Sequence, residues 1–433
     1  MRFLWARPRL TLLTVLLVTL GAAAAGAWRW ARHQLRAAEA SLDRYDFDEA
    51  QRHLDLCLLV PGRGNAVRLL AARTARRRGA YDEAEARLAD CLRREEMTRE
   101  ATLERLLLTA QQGELTEVEG LLQGRTGPDD PAAPLVLEAL AKGYLNCAWD
   151  ADALDCLNRL LEREPRHWPA LLMRAHLWEN RALKGEAEHF TDALHDYEKV
   201  IELHPSFEAR LGLANTLYRS GRPWEALSAY ESLHAEREAD SEVLLGLARC
   251  RYSLHDVDAA RHWLDVLLEQ HPGHAAGLLE RGRLALHAGE LDEAERWLSR
   301  AVATAPPYDG EALRVLCRCL QAAHKDEEAD RCAARLGERE AEVVRVDRHV
   351  LQVNRDPHNV ALRYEVAQEL MRLGRERDGL AALFLVLEQE PRHGPAHAAL
   401  ADYLERTGQP ARAARHRRAA SESAGLTRET ASP

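Results

Sequence analysis

Several residue types and motifs are scarce in this chain. Aromatic residues make up 6% of it, four of its 59 basic residues are lysines, and no two cysteines form a Cys-x-x-Cys pair. The sequence has no Walker loop, no Gly-x-Gly-x-x-Gly, no Gly-x-Ser-x-Gly and no His-Glu-x-x-His. Because the usual signatures of nucleotide, hydrolase and metallopeptidase chemistry are missing, we expect a protein that is not an enzyme, uses no cofactor and has no small-molecule substrate.

An excess of positive charge is also missing outside the N-terminus, where the chain is acidic on balance. The net charge is -10, which gives no support for a nucleic-acid partner. Charged residues reach 30% and hydrophobic residues 46%, a balance that suits exposed helices around a thin continuous core. The basic N-terminal residues are Arg2, Arg7, Arg9, Arg29, Arg32 and Arg36.

The chain repeats itself between residues 206 and 306. Three turn segments, Gly221–Ala226, His255–Ala260 and Gly289–Ala294, end in alanines that lie 34 residues apart. Two of the repeated units close on proline, at Pro272 and Pro306. Small residues precede each turn and a tyrosine or leucine follows it; these are Ala214, Ala248 and Gly282, then Tyr230, Leu264 and Leu298.

A 34-residue period with these small, aromatic and proline positions resembles the tetratricopeptide repeat family. The resemblance covers Arg36 to Ala420 in about eleven units. It implies an all-α fold, a right-handed superhelical α-solenoid of tandem helix-turn-helix repeats. The family serves many unrelated protein assemblies, so the resemblance indicates protein binding without naming a partner.

The frame of the repeat divides the chain into segments. The frame slips at a Gly- and Pro-rich joint over Gly124–Pro134 and at an insertion near Arg181–Phe190. The segments are an N-terminal membrane or signal segment over 1–30, degenerate repeats over 31–130, a central array over 131–337, a helical spacer over 338–355, C-terminal repeats with a cap over 356–420, and a tail over 421–433.

The N-terminal segment is long and uncharged. Leu10 to Trp28 contains no charged residue and is close to the ~20 residues that a transmembrane helix needs. Trp5, Trp28 and Trp30 flank it as interfacial anchors do. We expect one N-terminal transmembrane helix, a signal-anchor, with the repeats on the extracytoplasmic side. The small residues Ala22–Ala27 also fit a cleavable signal peptide, after which the chain would be exported.

Cysteines and histidines favour packing over metal binding. The cysteines mostly fall where the repeat has alanine or another buried residue, which fits reduced thiols, although an extracytoplasmic location would expose them to oxidising conditions. The pairs His271/His274 and His393/His397 straddle repeat boundaries where helices break, so they lack the i, i+4 helical geometry of a zinc site. The cysteines are Cys57, Cys91, Cys147, Cys156, Cys250, Cys317, Cys319 and Cys332.

One row of polar residues recurs with the repeat. Asn215, Arg249, Arg283 and Arg318 follow the small residue of successive first helices at spacings of 34, 34 and 35. Residues in register stack in a solenoid, so we expect these side chains on one surface, with Tyr218 and Tyr252 on the same helix faces. In this family the first helices line the concave groove that holds peptide ligands.

Guanidinium groups suit carboxylates because they offer paired donors to two oxygens. The row therefore predicts a groove that binds an extended acidic or C-terminal segment of a partner. The same residues also fit a solvated helix face in an arginine-rich chain. A different hypothesis is an accessory subunit of an envelope polysaccharide-synthesis or secretion machine, which would clasp a folded partner through its convex face or through the insertion at Lys184–Phe190.

Overall fold

The computed structural model describes residues 7–60, 64–94, 98–116, 118–306 and 309–430, and within these ranges it contains helices and turns but no strand. The chain forms two compact units, Met1–Gly143 and Tyr144–Pro433. The boundary lies inside a helix, about ten residues beyond the predicted joint. We call these the N-terminal and the C-terminal unit.

The N-terminal unit is built from successive antiparallel helix pairs. From α1 to α6 its helices pack in chain order, and α3 also contacts α5. They are α1 Arg7–Asp43, α2 Phe47–Leu58, α3 Asn65–Arg78, α4 Tyr81–Arg94, α5 Arg99–Gln111, α6 Glu119–Gln123 and α7 Ala133–Asn146, the last of which crosses into the second unit.

The C-terminal unit continues the same pattern in longer, more regular pairs. Its helices are α8 Asp150–Arg163, α9 Trp168–Leu183, α10 His189–Leu203, α11 Phe207–Arg219, α12 Pro223–Glu236, α13 Ser241–Ser253, α14 Val257–Gln270, α15 Ala275–His287, α16 Leu291–Thr304, α17 Glu311–Ala322, α18 Asp326–Arg355, α19 Val360–Leu373, α20 Glu376–Gln389, α21 Gly394–Arg406 and α22 Pro410–Thr430.

A left-handed residue marks the turn inside each helix pair. A positive φ at this position reverses the chain between the two helices, and glycine adopts it without a steric penalty. The interval is 34 residues in the regular part, and it grows to 37 and 36 on either side of Gly185, where the predicted insertion lies. The positions are Tyr45, Gly79, Gly113, Ala148, Gly185, Gly221, His255, Gly289, His324, Gly374 and Gly408.

Tyrosines of second helices pack against glycines of the following first helices. A Cβ added at Gly212 would lie 2.4 Å from the Tyr197 ring, and one added at Gly246 would lie 2.3 Å from the Tyr230 ring. Both tyrosines are buried. The missing side chains let adjacent repeats approach closely, which explains why small and aromatic residues recur together in the sequence.

The helical spacer is part of one 30-residue helix, α18. Its first half packs on α17, and its second half buries Val346 and Val353 against Val366 and Leu370 of α19. The interval between the turn residues His324 and Gly374 is consequently 50 residues. One continuous helix thus serves two neighbouring repeats.

Two of the eight cysteines form a disulfide. Cys317 of α17 bonds to Cys332 of α18, with Cα atoms 5.4 Å apart. This bond differs from the expectation of reduced thiols. It forms because packing of α18 on α17 places Cys332, and not the sequence neighbour Cys319, opposite Cys317. The other cysteines lie outside this bond and are buried, as small apolar residues are; they are Cys57, Cys91, Cys147, Cys156, Cys250 and Cys319.

The predicted membrane segment is part of α1. Residues 15–30 of this helix are exposed, and packing against α2 begins at Ala31. No helix among the described residues combines the length and apolarity that a membrane crossing requires. Trp5 and the side chains of residues 10–14 lie outside the described part of the chain. The transmembrane helix therefore stays a prediction from the sequence.

The C-terminus is helical further than expected. Residues 421–430, assigned to a tail from the sequence, continue α22. The Ser423 hydroxyl donates a 2.7 Å hydrogen bond to the Arg392 carbonyl oxygen. Residues 431–433 lie outside the described ranges.

Distant parts of the C-terminal unit also touch. Asp150, at the start of α8, forms an ion pair with Arg377 of α20, 227 residues further along the chain. The second carboxylate oxygen of Asp150 lies 3.7 Å from the Lys184 ammonium nitrogen. The array from α8 to α20 is therefore bridged between its ends.

Candidate functional site

The first helices of the C-terminal unit lie side by side. Helix α11 contacts α9 and α13, and α15 contacts α17. A second helix lies between two successive first helices in the sequence. In the structure the first helices are still neighbours, because each second helix packs back against the first helix of its own pair. We call the surface formed by α11, α13, α15 and α17 the first-helix face; it carries all the residues of the predicted row.

The amide of Asn215 has a structural partner. The Tyr230 hydroxyl donates a 2.6 Å hydrogen bond to the Asn215 side-chain oxygen. Burial raises the pKa of Tyr230 above its usual value, so this hydroxyl keeps its proton at neutral pH. Asn215 therefore orients the tyrosine that packs between two repeats.

The two tyrosines of the row differ in exposure. Tyr218 is half-buried, and its hydroxyl accepts a 3.5 Å contact from the Ser253 hydroxyl of the next first helix. Tyr252 is 43% exposed, which is unusual for a large ring. It gives the first-helix face an apolar surface beside the arginines.

The arginines at the centre of the row are linked by glutamates. Glu280 lies 3.3 Å from the Arg249 guanidinium and 3.4 Å from that of Arg283. Arg283 also pairs with Glu311 of α17. Although partial burial lowers it, these two carboxylates hold the pKa of Arg283 above its usual value. The structure thus brings Arg249 and Arg283 together through a shared carboxylate.

Arg318 has a different environment. It is exposed, and among the described residues no carboxylate pairs with it. Arg314, one helical turn earlier, is by contrast 2.9 Å from Glu340 of α18. The row therefore ends in a single uncompensated cation.

Sequence reasoning missed the glutamates of this face. Glu280 precedes Arg283 by three residues, and side chains at this spacing share one helix face. That spacing was a signal for at least one internal ion pair. The contact with Glu311 had no such signal, because it depends on the offset between α15 and α17.

The insertion forms an ordered turn between a lengthened first helix and α10. Helix α9 has 16 residues, against 13 in α11. The Arg181 guanidinium donates a 2.9 Å hydrogen bond to Glu186, and the His189 ring stacks on Trp178 with centroids 4.6 Å apart. Leu183, at the end of α9, is 52% exposed.

One histidine of each pair, His274 or His393, acts as a helix cap. The Nδ1 atoms of His274 and His393 each accept a 3.1 Å hydrogen bond from a backbone N–H at the start of the following first helix. His167 caps α9 in the same way. In the part of the chain that the structure describes, no three His, Cys, Asp or Glu side chains cluster as metal ligands would.

Two family models match the chain. A tetratricopeptide repeat model matches residues 217–281, and a second tetratricopeptide repeat model matches residues 69–131 and 183–242. A curated relative, Protein CTR9 homolog of Arabidopsis thaliana, is 31% identical over 109 residues. The match covers 25% of this chain and spans only 10% of the length of that relative.

Solved structures with similar folds are remote in sequence. PilW, a widely conserved type IV pilus biogenesis factor, is 19% identical, with 47% of this chain and 91% of that chain covered and a TM-score of 0.40. YrrB, a TPR protein with an unusual peptide-binding site, is 17% identical, with coverage of 47% and 98% and a TM-score of 0.35. A tetratricopeptide repeat protein from Parabacteroides merdae is 19% identical, with coverage of 68% and 98% and a TM-score of 0.36. With TM-scores this low, none of these similarities supports a functional argument.

Proposed function

We propose that this chain, which is a tetratricopeptide repeat protein, is a non-catalytic scaffold that binds an extended acidic segment of a protein partner on its first-helix face. Repeats of this family indicate protein partners. The observation that carries the acidic assignment is the row itself: three arginines in register, of which Arg318 is exposed and unpaired.

The glutamates of the face do not prevent such binding. Arg249 and Arg283 have side chains that are about one-third exposed, and Glu311 is half exposed. Ion pairs at this exposure contribute about 0–1 kcal/mol each, because water screens the charges. A carboxylate of the partner can therefore replace Glu280 or Glu311 at little cost.

A substitution of the row tests this proposal. Changing Arg249, Arg283 and Arg318 together to glutamine removes the cations while keeping polar side chains of similar length. Affinity capture from native membranes, followed by quantitative mass spectrometry, should then lose the partners retained by the unchanged protein by tenfold or more, since a charge-assisted hydrogen bond contributes about 1.5–3 kcal/mol.

The matched control is Arg331→Gln on α18, an exposed arginine away from the face whose nearest carboxylate oxygen, on Glu327, is 3.9 Å away. It should leave capture unchanged. Circular dichroism checks that both variants fold. Unchanged capture by the triple variant would show that the first-helix face is not the binding surface.

We further propose that the N-terminal part of α1 anchors the chain in a membrane, with the repeats on the extracytoplasmic side. Support comes from the uncharged sequence over 10–28 and from the exposed apolar side chains of Val15, Leu17 and Val18. Carbonate extraction of native membranes and N-terminal sequencing of the mature protein test it. Release into the carbonate supernatant, or a mature N-terminus after residue 28, would contradict the anchor.

A second candidate function is that of an accessory subunit of an envelope machine that clasps a folded partner through the insertion. The exposed Leu183 beside an ordered turn gives the insertion one apolar side chain that a partner could cover. Deleting residues 184–188 should abolish capture under this alternative and leave it intact under the first. The milder variant Leu183→Ser, which preserves the turn, serves as the check on folding.

A further inference from the structure

A buried ionic cluster joins three first helices of the N-terminal unit. Glu104 of α5 accepts a hydrogen bond of 2.5 Å from Arg73 and one of 2.9 Å from Arg76, both on α3. Arg76 is 1% exposed and Glu104 is 2% exposed. Although burial raises the pKa of Glu104, the two arginines lower it overall, so the carboxylate is ionised at neutral pH.

The cluster continues on its other side to α7. Arg77 lies 2.7 Å from Glu138, and the Lys142 ammonium lies 3.0 Å from the same carboxylate. Lys142 also donates a 2.8 Å hydrogen bond to the carbonyl oxygen of Arg77. The Arg77 guanidinium lies 4.5 Å from the centroid of the Phe47 ring, which covers it on one face.

Cations outnumber carboxylates in the contacts described above. Four cations, Arg73, Arg76, Arg77 and Lys142, meet the carboxylates of Glu104 and Glu138 there. Burial lowers the pKa of Lys142, and the charges of Arg76 and Arg77 lower it further against the opposing effect of Glu138. A buried excess of positive charge is costly unless an anion compensates it.

One donor of the cluster has no partner. The Nη1 atom of Arg76 donates a 2.7 Å hydrogen bond to Gln111, and its Nε atom donates to Glu104. Its Nη2 atom is buried and makes no hydrogen bond. A buried donor of this kind loses free energy unless it is satisfied, so an acceptor is missing from the cluster.

We infer that the cluster of Arg73, Arg76, Arg77 and Lys142 is an oxyanion-binding site, which holds a carboxylate or phosphoryl group carried by a partner polypeptide. An oxyanion supplies both missing elements, the negative charge and the acceptor for Arg76 Nη2. Guanidinium groups hold such oxygens with directed donors, and the lysine adds a point charge. The site lies in the other unit from the Arg249–Arg318 row, so the two proposals succeed or fail separately.

Isothermal titration of the full-length chain in a non-ionic detergent, at constant ionic strength, tests the site. Two probes are small anions, succinate and inorganic phosphate. The other three are tripeptides with blocked ends: one of three glutamates, one with a single phosphoserine and no glutamate, and one of three glutamines. We expect saturable binding of one equivalent of at least one oxyanion probe and no binding of the glutamine tripeptide. The two peptide arms distinguish a carboxylate from a phosphoryl ligand.

Two variants assign the binding to this cluster. Lys142→Met removes the charge but keeps a long, unbranched side chain. It should weaken binding about tenfold, the effect of one charge-assisted contact. Arg76→Lys keeps the charge but removes the forked donor, and should weaken it similarly. Arg105→Gln on the exposed side of α5 and Arg318→Gln in the other unit should change nothing.

Three results would overturn the inference. The first is that no oxyanion probe shows saturable binding. The second is that Lys142→Met and Arg76→Lys both keep their helical circular dichroism and bind as tightly as the unchanged protein. The third is that the glutamine tripeptide binds as tightly as the oxyanion probes. Any of these would mean that the cluster only joins α3, α5 and α7. If Arg76→Lys fails to fold, the Lys142→Met variant, whose side chain reaches the surface, decides the outcome.

Discussion

Tyr230 packs so closely against the backbone of Gly246 that a Cβ atom at residue 246 would lie 2.3 Å from the ring carbon Cζ. The tyrosine cannot easily move away, because its hydroxyl is held by a 2.6 Å hydrogen bond to Asn215. The contact links α12 to α13, and so it joins one repeat to the next. Both residues are buried, and Tyr230 belongs to an apolar cluster with Val243 and Leu247 of α13.

Replacing Gly246 with alanine should therefore destabilise the C-terminal unit. The added methyl group overpacks the interface, at a cost of about 1–3 kcal/mol, which exceeds the small gain in helix propensity. Urea unfolding followed by circular dichroism measures the change. The control is Gly273→Ala, where nothing lies within 4 Å of the new Cβ; equal stability of both variants would contradict the packing argument.

His255 should be replaceable by glycine with a gain in stability. It has φ of 66°, in the left-handed region, at the position where the neighbouring repeats have Gly221 and Gly289. The left-handed conformation costs a residue with a Cβ about 1–2 kcal/mol, and the greater freedom of glycine in the unfolded chain offsets part of the gain. We expect His255→Gly to raise the urea midpoint by the equivalent of about 0.5–1 kcal/mol, and Gly289→Ala to lower it.

The disulfide between Cys317 and Cys332 makes a prediction about thiol content. Protein purified without reductant and denatured in guanidinium should titrate six thiols with a chromogenic disulfide reagent, and eight after reduction. Because the bond closes a separation of 15 residues, its removal by Cys317→Ser with Cys332→Ser should cost about 3 kcal/mol, seen as faster hydrogen exchange in α17 and α18. Eight thiols before reduction would contradict the bond.

His416 should make the C-terminal repeats sensitive to acid. Burial, together with the charges of His397, Arg412 and Arg415, lowers the pKa of His416 to about 3. Its ring nitrogen lies 2.9 Å from that of His397. The histidine is neutral in both states above its ordinary pKa of 6.5; below it the unfolded chain takes up a proton that the folded chain excludes.

The contribution of His416 to the free energy of unfolding is therefore fully present above pH 6.5. It falls by about 1.4 kcal/mol per pH unit as the pH drops towards 3. Hydrogen exchange of α21 amides at pH 7 and pH 5, corrected for intrinsic rates, measures it. His416→Gln should reduce the difference between the two pH values, whereas His358→Gln, at an exposed histidine, should leave it unchanged. An identical pH response in both variants would contradict the assignment.

The repeat frame was predictable because it depends on local chemistry. The turns at Gly221, His255 and Gly289, the small residues before them and the tyrosine or leucine after them recur at fixed spacing. Each helix pair folds on itself, so a 34-residue pattern contains most of the information needed for its fold. The same logic predicted Arg249 and Arg283 on one surface, and in the structure both of them contact Glu280.

The charges that these arginines meet were harder to predict. Whether Glu311 contacts Arg283 or solvent depends on how far α17 is offset from α15, and this offset comes from packing between repeats. The bond of Cys317 to Cys332 was hard to predict for a different reason: it depends on how α17 and α18 pack against each other within one helix pair. The cluster around Arg76 spans three first helices across more than 60 residues, where sequence spacing alone carries no contact information.

The ion pair between Asp150 and Arg377 changes how the C-terminal unit responds to perturbation. An open array of repeats behaves as a one-dimensional lattice, in which each repeat senses only its nearest neighbours and its ends fray independently. The ion pair between α8 and α20 adds a contact between repeats that are not nearest neighbours. Inserting or removing a repeat between the two residues would break this bridge. Because Arg377 is 47% exposed, its loss costs about 0–1 kcal/mol, so the array yields at the bridge before its helices are strained.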